Sequence, residues 1–145
     1  MKEIAKIIKE AGHENSEFFH IEISNGSYMD LTIEGIGKSP DGRQMVSVAH
    51  YYEQNSDLMR DPEMTFLVDE RLSCTPGFAD GWFPVSVQMD GIGYYRVAIK
   101  WDENGQMVSN RREMRDEKSF ARTWNSNIRH QGFAKAFKAS KKAAA

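Results

Sequence analysis

The sequence predicts an α+β fold, in which a single antiparallel β-sheet of about six strands carries an N-terminal and a C-terminal helix on one face. Three observations support this fold class. Hydrophobic residues recur with helical spacing at both ends of the chain, and they alternate with polar residues between those ends. No helical segment separates the successive strand-like segments, so neighbouring strands are expected to pair antiparallel.

Length and composition indicate one hydrophobic core. The chain has 145 residues and is 40% hydrophobic and 28% charged, which is typical of a globular domain of this size. We expect a single domain over residues 1–133. A basic, alanine-rich tail over 134–145 then either continues as a short helix or is disordered.

The first predicted element is an amphipathic helix over residues 2–11. Ile4, Ile7 and Ile8 follow the i, i+3, i+4 spacing of one helix face, with lysine and glutamate between them. Gly12 follows as a helix stop signal. This helix is expected to pack on the sheet through its isoleucines.

The middle of the chain is predicted as a series of strands. Apolar and polar side chains alternate there, and sequences such as Asn-Gly and Asp-Gly supply the turns between strands. The glycine-rich run 35–42 is expected to be a turn, and the polar run 54–62 a hairpin connection. The predicted strands cover residues 19–23, 29–33, 45–52, 63–68, 83–89, 94–101 and 106–109.

A second helix is predicted over residues 114–131. Phe120, Trp124 and Ile128 lie at i, i+4 and i+8, which places them on one stripe facing the sheet. The opposite face is predicted to form a basic ridge suited to an anionic partner such as nucleic acid, with a solvated helix face as the alternative. The ridge consists of Arg115, Lys118, Arg122 and Arg129.

Charge is divided unequally along the chain. Residues 1–110 hold nine basic and eighteen acidic residues, whereas residues 111–145 hold ten basic and three acidic residues. The acidic part suits a basic protein surface and the basic part a nucleic acid. The alternative interpretation is that the acidic and basic parts of the chain pair with each other.

Localisation is predicted from cysteine content and hydropathy. The lone Cys74 has no partner for an internal disulfide, and it is expected to be an inert thiol in a reducing compartment. No apolar run approaches the roughly 18–20 residues that span a bilayer, and no signal-peptide pattern is present. We therefore expect a cytoplasmic protein without a membrane partner.

Motifs for catalysis and cofactor binding are not found. His13, His20 and His130 stand apart from other metal-ligating residues, and the sequence has no nucleophile elbow and no phosphate-binding loop. The sequence therefore predicts no catalytic residues, no metal site and no cofactor. An enzyme is the less favoured class.

The run HYYEQNSDLMRDPEM, residues 50–64, is rich in residues that make polar contacts. It has three open interpretations: an ordinary hairpin connection, a contact surface for a protein partner, or the centre of a metal-dependent hydrolase. The candidate hydrolase residues are His50, Glu53, Asp57 and Asp61. The candidate partner-binding residues are His50, Tyr52, Glu53, Asp57, Arg60 and Asp61.

The same run, with Trp82-Phe-Pro-Val and the segment SFARTWNSNIRHQGF (119–133), resembles a domain-of-unknown-function family found in bacterial plasmid, conjugative-element and phage proteins. The resemblance covers residues 43–133. In that family a glycine often stands at the position of Ser56, so a tight turn there is energetically less favourable in this chain. The resemblance implies no catalytic residues.

Occurrence in plasmids, conjugative elements and phages, as the resemblance implies it, indicates an accessory role, such as countering host defence or supporting plasmid maintenance. We therefore expect a nonenzymatic protein-binding module, with a nucleic-acid-binding module that uses the basic ridge as the alternative and the hydrolase as a second alternative. Neither the partner nor the oligomeric state follows from the sequence.

Overall fold

The structure is a computed structural model that describes residues 1–73 and 75–144. Its elements confirm the predicted α+β class. Two single-turn 3₁₀ helices, Glu70–Leu72 and Asp90–Ile92, lie in loops. The main elements are α1 (Lys2–Glu10), β1 (Phe18–Asn25), β2 (Tyr28–Lys38), β3 (Gln44–Gln54), β4 (Asp57–Val68), β5 (Trp82–Met89), β6 (Tyr94–Val97), β7 (Ile99–Trp101), β8 (Met107–Ser109), α2 (Arg111–His130) and α3 (Phe133–Ala144).

The main sheet is an antiparallel meander. Its six strands follow the order β1-β2-β3-β4-β5-β6, and β7 pairs with β8 in a separate two-stranded sheet. Each strand of the main sheet lies beside its neighbour in sequence because short turns join them. Antiparallel pairing of this kind satisfies the backbone hydrogen bonds of the strands without crossover helices. The predicted antiparallel pairing is confirmed.

The core lies between one face of the sheet and the three helices. A row of buried side chains crosses five strands in register, since Ile21 lies opposite Ile33, Ile33 opposite Val48, Val48 opposite Met64 and Met64 opposite Val87. The helices cover this row with further apolar side chains and contact one another. These are Ile4 and Ile7 from α1, Trp124 and Ile128 from α2, and Phe133 from α3.

A second, smaller cluster closes one end of the molecule. Leu67, Val85 and Ile99 are buried together, and Phe83 and Trp101 pack against them. The short β7–β8 hairpin thereby adds its own apolar contacts to the main sheet. Elsewhere the side of the sheet that faces away from the helices remains open, as the groove described below shows.

The predicted hairpin connection over 54–62 is wrong for most of its length. β3 continues to Gln54, a two-residue turn follows at Asn55-Ser56, and β4 begins at Asp57. Residues 51–61 at the end of this hairpin are all partly or fully exposed, so its strands need no apolar alternation and their polar sequence resembles a loop. The predicted turn over 35–42 is likewise shorter, because β2 extends to Lys38.

The C-terminal helices are longer than the sequence pattern indicates. α2 begins at Arg111, where the side chain of Asn110 accepts hydrogen bonds from the backbone amides of Arg112 and Glu113 at 3.1 Å each. Residues 133–144, part of the predicted tail, form α3, and Ala145 lies outside the described residues. Across the described part of the chain, no helix is both long enough and apolar enough to cross a lipid bilayer.

Candidate functional site

A groove of about 430 Å³ lies on the open face of the sheet. Every residue that lines it belongs to β1–β4, so strands alone position the site. Alternation along a strand sends neighbouring side chains to opposite faces, which is why the lining residues of β1 and β2 alternate with core residues. The groove is lined by His20, Glu22, Asp30, Thr32, Glu34, Tyr51, Tyr52, Glu53 and Leu58.

Strand register brings the floor of the groove together. His20 lies opposite Glu34, and Glu22 lies opposite Thr32, in the β1–β2 pair. Side chains at such paired positions lie about 5 Å apart and interact directly. His20 and Glu34, fourteen residues apart in sequence, therefore share one surface.

The end of the β3–β4 hairpin provides the remaining lining residues. The pairing register shifts between Ala49 and Tyr51, and a shift of this kind bends a strand pair and redirects its side chains. Beyond the shift, Tyr51, Tyr52 and Glu53 reach the groove from β3, and Leu58 from β4. Leu58 is 64% exposed, so an apolar surface lies beside the acids.

The groove has an uncompensated negative charge. Its four carboxylates are Glu22, Asp30, Glu34 and Glu53. His20 lies between two of them, with its Nδ1 3.4 Å from Glu34 Oε2 and its Nε2 3.7 Å from Glu22 Oε2. Within residues 1–73 and 75–144, none of the four carboxylates forms an ion pair with a lysine or arginine.

A hydrogen-bonded network beside the groove holds Tyr51 in place. The Tyr51 hydroxyl donates to Glu63 Oε2 at 3.2 Å, and burial together with the Glu63 charge raises the pKa of Tyr51 to about 12. Arg60 lies 3.8 Å from Glu63 and donates from its Nε to Asp90 Oδ2 at 2.8 Å. The Arg60 charge is thus engaged by two acids, and Tyr51 stays protonated at neutral pH.

The predicted partner-binding residues divide between the two faces of the sheet. Tyr52 and Glu53 line the groove, as a surface site requires. His50 instead is buried at 7% exposure, and its ring lies 5.6 Å from those of Trp124 and Phe133. Placing His50 on a contact surface was wrong, because its position in the β3 alternation turns it toward the helices, and this burial lowers its pKa.

The other predicted residues lie away from the centre of the groove. Asp57 is exposed at the tip of the hairpin, opposite Gln54. Arg60 is bonded to Asp90, and Asp61 is partly buried in β4. In the described part of the chain, no three or more His, Cys, Asp or Glu side chains are grouped to hold a metal ion, so the predicted hydrolase residues do not converge.

The predicted basic ridge on α2 is interrupted. Arg115, Arg122 and Arg129 are exposed, but Lys118 is buried at 5% exposure. Its ammonium group donates to Asp80 Oδ1 at 2.7 Å and to the carbonyl of Trp82 at 2.9 Å. Counting Lys118 as a surface charge was wrong, because the segment that precedes β5 packs over this part of the helix.

The acids of β1 and β2 were not singled out in the sequence. Glu22, Asp30 and Glu34 occupy polar positions of alternating strands, where solvated side chains are the ordinary expectation. Their convergence with Tyr51 and Glu53 depends on strand order and on the bend in the β3–β4 hairpin. Cys74, predicted to be an inert thiol, lies outside the described residues.

The fold and the groove define an α+β domain whose antiparallel sheet is covered by helices on one face and carries an acidic groove on the other. The chain belongs to the family described as a domain of unknown function, DUF6908, whose family model matches residues 2–134. This confirms the expectation of a domain of unknown function, and the match covers nearly the whole chain. No curated protein and no solved structure matches the chain significantly.

Proposed function

We propose that this domain is a nonenzymatic protein-binding module whose acidic groove holds a lysine- or arginine-containing segment of a partner protein. One observation carries the proposal: four carboxylates share the groove, and no described lysine or arginine pairs with any of them. Like charges at neighbouring positions of a sheet repel one another. A cationic segment from a partner relieves that repulsion.

The apolar and aromatic lining adds selectivity to this charge. Lysine and arginine have aliphatic stems that pack on apolar surface while the charged group remains near carboxylates. Tyr51 and Leu58 stand beside the acids and supply such a surface. Aromatic rings also attract cations through their faces. The groove therefore suits a basic peptide segment better than a bare metal ion.

The biological setting we propose is that of an accessory protein of a bacterial mobile element, such as a factor that counters host defence. The support for this setting is the resemblance of the run 50–64 and the segment 119–133 to proteins of plasmids, conjugative elements and phages. In such a setting we expect the protein to act by occupying a partner's surface. A basic nucleic-acid-binding surface on a host protein fits an acidic groove.

The first test measures binding of a labelled peptide of alternating lysine and arginine by fluorescence anisotropy. The variant Glu22→Gln/Glu34→Gln/Glu53→Gln removes three groove charges and is expected to weaken binding about tenfold or more. A matched control, Glu14→Gln/Glu70→Gln/Glu103→Gln, removes three exposed charges elsewhere. Equal affinities of the groove variant and the control would refute the proposal.

A second test identifies the partner surface. A photo-crosslinking phenylalanine analogue replaces Leu58, and cross-linked peptides from a host lysate are sequenced by mass spectrometry. We expect the cross-links to fall in lysine- or arginine-rich segments and to be lost when Glu22, Glu34 and Glu53 are changed to glutamine. Cross-links to acidic or uncharged segments that survive this change would contradict the proposed chemistry.

A further inference from the structure

We propose that the exposed arginines of α2 form a second binding surface, which contacts the phosphate backbone of a nucleic acid. These residues are Arg111, Arg115, Arg122 and Arg129. The inference goes beyond the proposed function, because this surface lies on the helical side of the molecule and the acidic groove on the other.

The arginines lie on one stripe of the helix, and the segment that precedes β5 crosses this row at the buried Lys118, between Arg115 and Arg122. At 100° per residue they fall within a stripe roughly 40° wide, and at 1.5 Å per residue the row is about 27 Å long. The acids of α2 stand outside this stripe: Glu117 is buried, and Glu113 and Asp116 lie on other sides of the helix. The closest acid contact is that of Arg115 Nε with Asp116 Oδ1, at 4.0 Å.

A hollow of about 300 Å³ adjoins the N-terminal half of the row. Its lining includes four basic residues and no carboxylate, and Lys118 contributes little free charge because it is bonded to Asp80. The guanidinium of Arg122 is held in place, since its Nη2 donates to the carbonyl of Gly77 at 2.8 Å. The hollow is lined by Pro76, Gly77, Phe78, Arg111, Met114, Arg115, Lys118 and Arg122.

The charge of the whole helical layer supports the same ligand class. The helices α1–α3 contain thirteen of the nineteen basic residues and five of the twenty-one acidic residues, so this layer carries +8 and the rest of the chain −10. A surface with this excess of positive charge attracts polyanions over several ångströms. The overall charge of −2 conceals this separation.

The row fits a nucleic acid better than a membrane or an acidic peptide. A helix that lies on a membrane inserts an apolar face into it, and the apolar face of α2 is buried against the sheet. None of the exposed large hydrophobic residues belongs to α2. Arginine forms paired hydrogen bonds to phosphate, and a row of about 27 Å matches a regularly charged backbone rather than one anionic group.

The test is fluorescence anisotropy with a labelled DNA duplex of roughly 20 base pairs at salt concentrations from about 50 to about 200 mM. The variant Arg115→Gln/Arg122→Gln is expected to bind about tenfold or more weakly. The slope of its affinity against salt concentration is expected to correspond to about two fewer phosphate contacts. The control Arg112→Gln/Lys100→Gln removes two exposed charges outside the row and is expected to bind normally. Thermal melting of each variant checks that the fold is intact.

Three outcomes would overturn the inference. They are DNA binding that is equal in the row variant and the control, DNA binding that does not change with salt, and binding to phosphatidylserine vesicles without binding to DNA. The groove variant Glu22→Gln/Glu34→Gln/Glu53→Gln is expected to retain its affinity for DNA. Failure of the arginine row and failure of the acidic groove are therefore distinguishable.

Discussion

At the scale of single residues, the turn between β3 and β4 contains the two non-glycine residues with positive φ among those described. Asn55 and Ser56 have φ angles of 53° and 69°, and positive φ at both central positions is the signature of a type I′ hairpin turn. Asparagine tolerates this region because its side chain can hydrogen-bond to the local backbone. For serine, the contact between Cβ and the following carbonyl oxygen is destabilising.

The substitution Ser56→Gly is therefore expected to stabilise the domain by about 0.5–1 kcal/mol, which chemical denaturation measures. Ser27 offers a matched control, since it lies in the β1–β2 turn and is not among the residues with positive φ. Ser27→Gly is expected to be neutral or destabilising. A loss of stability in Ser56→Gly would show that the serine side chain makes a contact that outweighs the backbone strain.

Glu117 is a buried acid in α2. It is 2% exposed, and neither carboxyl oxygen has a hydrogen-bond partner in the described part of the chain. Burial, with a smaller contribution from Glu113, raises the pKa of Glu117 to about 8. The carboxyl group is therefore mostly protonated in the folded protein at neutral pH and ionised in the unfolded chain.

Because the folded state binds this proton more tightly than the unfolded state, the Glu117 contribution to stability falls as pH rises from about 5 to about 8. Glu117→Gln removes the titration and keeps the size of the side chain. We expect the variant and the parent to have similar stability near pH 5, and the variant to be more stable by on the order of 2 kcal/mol near pH 8. The expectation would be contradicted if denaturation showed the same difference in unfolding free energy between variant and parent at every pH in this range.

At the scale of elements, one buried ion pair attaches the segment before β5 to α2. Lys118 donates to Asp80, which also contacts the N-terminal ammonium group of Met1, and burial lowers the pKa of Lys118. Removing one partner of a buried ion pair leaves the other without full compensation. The ion pair thus stabilises the packing of three chain segments.

Lys118→Ala is expected to cost roughly 2–4 kcal/mol of unfolding free energy, measured by chemical denaturation. Arg115→Ala, one turn earlier on the exposed side of the same helix, is expected to change stability by less than about 0.5 kcal/mol. If both substitutions changed the free energy of unfolding by similarly small amounts, Lys118 would be solvated, as the sequence-based prediction of a basic ridge requires.

At the scale of the whole molecule, the two proposed surfaces lie on opposite sides of one sheet. Because the sheet and the helical core separate them, neither ligand blocks the other sterically. We expect the basic peptide and the DNA duplex to bind at the same time, and size-exclusion chromatography with two labels measures this directly. Strict competition between the two ligands would show instead that they neutralise each other or share a single surface.

Secondary structure and general class were accessible from sequence patterns. The helix over 2–11 and the stripe of Phe120, Trp124 and Ile128 follow helical periodicity, and the core strands follow alternation. The patterns failed at the end of the β3–β4 hairpin, where strands extend past the core and need no apolar residues. They also failed at His50 and Lys118, whose burial depends on neighbours that are distant in sequence.

The sequence by itself determined the fold class, the antiparallel pairing of successive strands and the separation of acidic from basic segments, because each depends on local periodicity or composition. The tertiary structure alone decided where those charges meet. Strand register and the bend after Ala49 gather Glu22, Asp30, Glu34 and Glu53 into one groove, and packing of the Asp80 segment removes Lys118 from the surface. Contacts of this kind depend on how elements pack, and no short sequence window contains that information.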